Sequence, residues 1–281
     1  MADVAVWPAC DVACAFCSNP AGEYRRPLAE HSLPSLVRRL TRWKAGLERF
    51  HKFDAARDNV TLTGGEPTLH PRILPLLAAV RRQFPGVLVR LLTHGRRLAD
   101  ASFAKRVLEA AGAPFEAAVN LSGPEDGLER SFAGALNLLC LRRPGQRVSA
   151  RYVLTRETLG RLGPLAAKMA EKLPGLSGLA VLFPEFEGRA LASPEALGLR
   201  LTEAATVLED LAPALSKAGP LSLYHFPVCV LGPRLRPLAA KTLDDAKVVF
   251  SLACRGCRRR AACVGIHKSY ARVAGCGEFR P

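Results

Sequence analysis

The sequence predicts an α/β fold: a partial (β/α)6 barrel of parallel strands and crossover helices, followed by a small cysteine-rich C-terminal domain. Short β-rich runs alternate with longer helical patterns, the unit recurs roughly every thirty residues, and no GxGxxG follows a strand to suggest a dinucleotide fold. The six units are too few for a closed eightfold barrel.

In chain order, strands are expected at Ala2 to Trp7, Asn59 to Leu62, Val87 to Leu92, Ala117 to Leu121, Val148 to Leu154 and Leu179 to Phe183. Each is a short apolar or β-branched run bounded by polar or turn residues. Helical patterns fill the intervals at Leu33 to Arg49, Arg72 to Gln83, Ala99 to Ala111, Leu128 to Leu141, Thr158 to Lys172 and Thr202 to Lys217. After Gly219 the periodicity fades into a Pro-, Arg- and Cys-rich tail. The expected division is therefore residues 1–218 for the barrel and 219–281 for a metal-stapled domain.

The composition bounds the remaining choices. The chain has 281 residues, 49% of them hydrophobic, enough for one large domain with an appendage. With 23% charged residues and 21 prolines it is neither disordered, collagenous nor a coiled coil. It holds no run of 18 apolar residues, and MADVAVWPAC lacks the basic start and apolar stretch of a signal peptide. A soluble cytoplasmic protein without a membrane segment is expected.

Nine cysteines carry the strongest functional signal. In a reducing compartment, clustered cysteines hold metal or perform redox chemistry more readily than they form structural disulfides. Cys10, Cys14 and Cys17 sit close together near the start, and Cys229, Cys254, Cys257, Cys263 and Cys276 lie in the last fifth. Cys140 stands alone in an apolar helical pattern and is expected in the core. Three thiolates on one short loop leave a coordination position open, whereas a structural zinc site closes with four protein ligands. The other candidates, Gly64-Gly65-Glu66-Pro67, Thr93-His94-Gly95 and Ser122, fall after expected strands, at the edge where parallel sheets gather ligands.

Cys10-x3-Cys14-x2-Cys17, with Phe16 before the third cysteine, resembles the signature of the radical S-adenosylmethionine (radical SAM) superfamily. Thr63-Gly64-Gly65-Glu66-Pro67 resembles its GGEP motif, which holds the amino group of the methionyl moiety. Thr93-His94-Gly95 is similar to its TNG segment, with His94 in place of asparagine, and Asn120-Leu121-Ser122-Gly123 is similar to its fourth-strand segment near the ribose. The resemblance implies the partial (β/α)6 barrel already counted. It also implies a [4Fe-4S] cluster on Cys10, Cys14 and Cys17, and S-adenosylmethionine near Phe16, Gly64, Gly65, Glu66, Pro67, Thr93, Asn120 and Ser122. Read from the residues, two glycines permit a close backbone approach, Pro67 fixes a turn and Glu66 suits an ammonium partner. Asn120 and Ser122 also suit a plain turn, and Arg151 suits either the cofactor carboxylate or solvent.

In the tail, Cys254-x2-Cys257-x5-Cys263 forms a second thiol run, with Cys229 a natural fourth ligand. Four thiolates suit zinc as well as a cluster. Together with Pro227, Gly265, Tyr270, Gly275 and Glu278-Phe279-x-Pro281, the run resembles the auxiliary-cluster tail of SPASM and twitch radical SAM proteins, which implies a second [4Fe-4S] cluster. The first choice of ligands is Cys229, Cys254, Cys257 and Cys263. Cys276 is the alternate to Cys229, and His225 and His267 are outside candidates.

The implied reaction is reductive cleavage of S-adenosylmethionine to methionine and a 5′-deoxyadenosyl radical, which abstracts hydrogen from a peptide or natural-product intermediate while the auxiliary cluster accepts an electron. Cys140, Cys276, Tyr152 and Tyr224 are conceivable hydrogen-atom donors. The net charge of +15 favours acidic partners, among them a flavodoxin- or ferredoxin-like electron donor. With only 6% aromatic residues and no stacking stripe, nucleic-acid binding is not predicted. A radical enzyme modifying RNA and a zinc- or cluster-bearing nucleic-acid-binding protein remain the alternatives. The nine residues before Cys10 leave no room for an N-terminal leader-binding domain, so a peptide substrate is expected to need another recognition device.

Overall fold

A computed structural model describes residues 2–19, 28–47, 53–192 and 194–281. The chain divides into two compact units. One holds the residues through Ala13 and the stretch that ends at Ala150. The other holds a short stretch from Cys14 and everything from Arg151 onward.

The first unit alternates β1 (Ala2–Trp7), α1 (Leu33–Lys44), β2 (Val60–Gly64), α2 (Ile73–Gln83), β3 (Val89–Thr93), α3 (Ala101–Ala111), β4 (Phe115–Asn120) and α4 (Leu128–Leu141), and then enters β5 (Gln146–Val153). The pairs β1–β2, β2–β3 and β3–β4 are parallel, in a register that aligns Ala2, Val60, Val89 and Phe115. Val6, Leu62, Leu91 and Val119 are fully buried, as expected of parallel strands covered by helices. On α1, Leu36, Leu40 and Trp43 recur at helical spacing and form its buried face. Asp100 caps α3 by accepting from the backbone N–H groups of Ser102 and Phe103. At the opposite end of the sheet Arg81 fastens loop to loop, donating to the carbonyls of Ala111, Phe84, Val87 and Pro114 at 2.6–3.3 Å.

The second unit contains the end of β5, α5 (Leu162–Lys172), β6 (Leu179–Leu182), α6 (Leu201–Ala218), β7 (Leu221–Tyr224) and β8 (Ala239–Ala240). A small antiparallel ribbon of β9 (Val248–Val249) and β10 (Ile266–His267) precedes α7 (Lys268–Ala274). The pairs β6–β7 and β7–β8 are parallel. Within the first unit the strand order is β1-β2-β3-β4, and within the second it is β6-β7-β8.

The six expected strands and six expected helices are all present, with ends shifted by a few residues. The expected helix at Thr158 to Lys172 is two pieces, because a Thr155/Thr158 capping box starts a separate turn, Arg156–Leu159, that stops at Gly160. The helix expected to run to Arg49 instead stops at Lys44, where Ala45 caps it and Gly46 follows in a left-handed turn; Arg49 itself lies outside the described residues. Beyond Gly219, where the sequence shows little periodicity, β7 and β8 extend the strand series. They are too short, at four and two residues, to register as alternation. Cys140 is exposed rather than in the core: Leu138 and Leu139 fall on the buried face of α4, and the next position turns outward.

Candidate functional site

In the first unit, the end of β2 is fastened to the chain leaving β1. Gly65 N–H donates to the Trp7 carbonyl at 2.7 Å, and Glu66 N–H to that of Ala9 at 2.8 Å. A Cβ on Gly64 would lie 2.3 Å from the Trp7 oxygen, and one on Gly65 would lie 2.3 Å from the Ala9 oxygen. Gly64 also has φ 141°, a conformation that side chains rarely adopt. The sequence reading expects these glycines to admit a ligand; the close approach the structure shows is to the segment that delivers Cys10.

Glu66 is only 1% exposed and knits β2 to β3. Its Oε1 accepts from Thr68 N–H (3.0 Å), Thr68 Oγ1 (2.6 Å) and Thr93 Oγ1 (2.6 Å), and its Oε2 accepts from His94 N–H (2.9 Å). Four donors hold this buried carboxylate in a fixed orientation. Pro67 starts the short 3-10 turn that follows, with Glu66 as its cap.

His94 Nδ1 accepts from Arg96 N–H at 3.1 Å, so its ring proton lies on Nε2 and is donated to Asp11 Oδ1 at 2.7 Å. The same Nε2 is 3.4 Å from Glu66 Oε2. The ligand atoms of Cys10, Asp11 and His94 lie within 4.8 Å of one another. Asp11 is a member that sequence reasoning missed, because one acid between cysteines carries no spacing signal. Asn120 Oδ1 accepts from Ser122 N–H (2.9 Å) and Ser122 Oγ (2.5 Å), which is the turn geometry open to those residue types.

In the second unit, Cys14, Phe16 and Cys17 are half-buried, and Cys17 N–H donates to the Cys14 carbonyl at 3.2 Å. The Cys17 carbonyl accepts from Ala190 N–H at 3.1 Å. Arg151 is half-buried, with its guanidinium carbon 5.8 Å from the centre of the Tyr224 ring.

A small cavity that opens to solvent lies in the same unit. Cys229, Cys254, Cys257 and Cys263 all line it, with Val228, Phe250, Ile266 and Phe279 among the apolar walls. Cys276, His225 and His267 are not among its lining residues. Cys263 Sγ accepts N–H donations from Val228 and Gly265, each at 3.4 Å, the kind of donor that stabilises charge on sulfur. Burial, reinforced by neighbouring Cys263, pushes the Cys229 thiol up to about 11. Four free soft donors facing one small, largely apolar cavity fit a thiolate-ligated inorganic centre, because binding removes the repulsion among their charged forms. Arg255, Arg258, Arg259 and Arg260 stand exposed around this segment.

No described helix is long and apolar enough to cross a membrane. Comparison with curated proteins gives no match. Among solved structures the chain is similar to Streptococcus suis SuiB, at 14% identity and a TM-score of 0.56 over 89% of this chain and 53% of that one. It is also similar to SuiB bound to S-adenosylmethionine (14%, TM-score 0.56, 79% and 49%) and to SuiB bound to the precursor peptide SuiA (14%, TM-score 0.55, 79% and 48%). The chain spans about half the length of these structures, and the likeness shows the fold. Residues 4–135 match the sequence model of the Radical SAM superfamily. That span runs from β1 into α4 and includes the three cysteines and the Gly-Gly-Glu-Pro turn. Residues 4–135 of this chain are therefore a Radical SAM superfamily domain.

Proposed function

We propose that the protein is a radical SAM enzyme that abstracts hydrogen from a peptide or a related natural-product intermediate. The observation that carries the reading is the pairing of the Cys10, Cys14 and Cys17 spacing with a Gly-Gly-Glu-Pro turn hydrogen-bonded directly onto the strand exit that leads to Cys10. Together, a [4Fe-4S] cluster on those three cysteines and S-adenosylmethionine would supply reductive cleavage of the sulfonium and hydrogen abstraction. The chain's own residues supply orientation. Glu66 offers a fixed carboxyl group, Thr93 and Thr68 hold it in place, and Pro67 stops the turn from relaxing. Phe16, Asn120, Ser122 and Arg151 are assigned to the remainder of the cofactor.

In this reading residues 1–218 are the catalytic barrel and 219–281 an auxiliary domain, whose Cys229, Cys254, Cys257 and Cys263 hold a second [4Fe-4S] cluster. Their common cavity supports that ligand set over one with Cys276. A peptide substrate is supported by the fold shared with SuiB, whose structure contains a precursor peptide. An acidic flavodoxin- or ferredoxin-like donor suits the net charge of +15, and the reducing chemistry suits the cytoplasm.

The test is anaerobic reconstitution with iron, sulfide and S-adenosylmethionine, followed by dithionite. Formation of 5′-deoxyadenosine is expected. Its absence from a preparation carrying its full iron complement refutes the proposal.

A further inference from the structure

Outside the lining of the cysteine cavity, the second unit gathers a set of groups that the proposed reaction does not use. Glu185 and Glu187 follow the C-terminal end of β6, His225 follows that of β7, and His267 ends β10. The carboxylates and the His267 imidazole place one ligand atom each within 4.8 Å of one another. His267 Nε2 lies 3.5 Å from Glu185 Oε2 and 3.9 Å from Glu187 Oε1, and His225 Nε2 lies 3.8 Å from Glu185 Oε1. These separations exceed a hydrogen bond. They are close to the edge of a coordination tetrahedron, about 3.4 Å for metal–ligand bonds of about 2.1 Å.

A second observation points the same way. His267 is 4% exposed, and its Nε2 has no hydrogen-bond partner although it is aimed at the two carboxylates. The buried ring nitrogen thus faces both carboxylates across gaps too long for a well-formed hydrogen bond, which a cation between them would fill. Both histidines are also braced at the other ring nitrogen, as metal-binding imidazoles are. His225 Nδ1 donates to the Phe183 carbonyl at 2.9 Å, which leaves a lone pair on Nε2. His267 Nδ1 lies 2.6 Å from Ser269 Oγ, itself held by Phe186 N–H at 2.9 Å. Without a cation, His267 Nδ1 accepts from Ser269 N–H at 3.1 Å. Ligation moves the ring proton to Nδ1 and gives it to Ser269 Oγ. Lys247 Nζ sits 2.9 Å from Glu185 Oε2, so a side chain about half exposed at present supplies positive charge to the cluster.

We propose that Glu185, Glu187 and His267 form a binding site for a divalent cation of the first transition row, bordered by His225, from which Lys247 is displaced on binding. Two carboxylates and an imidazole suit Mn²⁺, Fe²⁺ or Zn²⁺, and three protein ligands leave positions open for water or another ligand. The site is separate from the thiolate cavity, whose lining includes none of these residues.

The probe is Mn²⁺, a hard cation that thiolates bind poorly, titrated into the anaerobically reconstituted full chain while the signal of free Mn²⁺ is followed by electron paramagnetic resonance. One Mn²⁺ per chain is expected to leave the free pool. Glu187→Gln is expected to weaken binding by about tenfold or more. Lys247→Ala, which removes the competing ammonium but no ligand, is expected to tighten it severalfold. Far-UV circular dichroism of each variant confirms folding. Absence of Mn²⁺ binding to the wild type overturns the proposal. So does a folded Glu187→Gln protein with wild-type affinity, or a Lys247→Ala protein with no gain. None of these readouts depends on S-adenosylmethionine cleavage, so this site and the proposed function stand or fall separately.

Discussion

Replacing Gly65 by alanine tests the link between the Gly-Gly-Glu-Pro turn and the cysteine loop. The new Cβ would sit 2.3 Å from the Ala9 oxygen and 2.5 Å from its carbonyl carbon, both rigid backbone atoms. Reaching even a 3.0 Å contact requires a shift of about 0.7 Å, the difference between the two distances. The hydrogen bonds in the way are Gly65 N–H to Trp7 and Glu66 N–H to Ala9, at 2.7 and 2.8 Å. Stretching both, at about 1 kcal/mol each, and adding about 1–2 kcal/mol of overpacking gives a destabilisation of about 3–4 kcal/mol. The same shift displaces Cys10 relative to Glu66, and a misplacement approaching 1 Å costs about a hundredfold in rate. The assay pairs a urea unfolding midpoint with 5′-deoxyadenosine formation per iron, by chromatography. A Gly65→Ala protein with wild-type midpoint and rate would refute the close-approach argument.

Three further outcomes follow from the geometry. Arg81→Met, which leaves four carbonyls without their common donor, is expected to cost about 2–4 kcal/mol, reduced by Arg81's partial exposure, and to appear in the urea midpoint with no change in iron content. Cys263→Ala is expected to remove about half the iron and acid-labile sulfide, and Cys276→Ala to remove none. Burial pushes the Tyr152 phenol up to about 12 in the folded state, against 10.0 unfolded. The unfolded chain therefore loses that proton first, and folding stability falls as pH rises between about 10 and 12. Because Tyr152 Oη donates to the Thr158 carbonyl at 2.6 Å, Tyr152→Phe should be less stable at pH 8 and show a shallower alkaline decline in urea midpoints measured at pH 9 and 11.

The first unit was legible because its strands are apolar runs with buried residues at alternate or successive positions and its helices are amphipathic, so each element leaves a trace several residues long. The tail was not legible in that way. The strand partners Leu223 and Ala239, or Val249 and Ile266, meet in segments of two to four residues whose pairing depends on tertiary contacts. The cysteine spacings disclosed which thiols belong together, since close ligands on one loop must recur within a few residues. No comparable signal marked Asp11 beside His94, or Glu185 beside His267, 82 positions on, because those neighbours meet only through the fold. Cys140 misled for a simple reason: an apolar stretch of Leu138, Leu139, Cys140 and Leu141 runs around the helix rather than along one side of it.

That outward thiol also has a practical meaning. Among the described cysteines only Cys10 and Cys140 are exposed, so metal loading through Cys10 would leave Cys140, on the outer side of α4, as the most accessible sulfhydryl, with the half-buried Cys276 the other thiol outside the proposed clusters. A maleimide dye, spin label or surface tether could then be directed there, most cleanly in a Cys276→Ser background. In air, the same atom invites covalent dimers through intermolecular oxidation, and a serine replacement would suppress them.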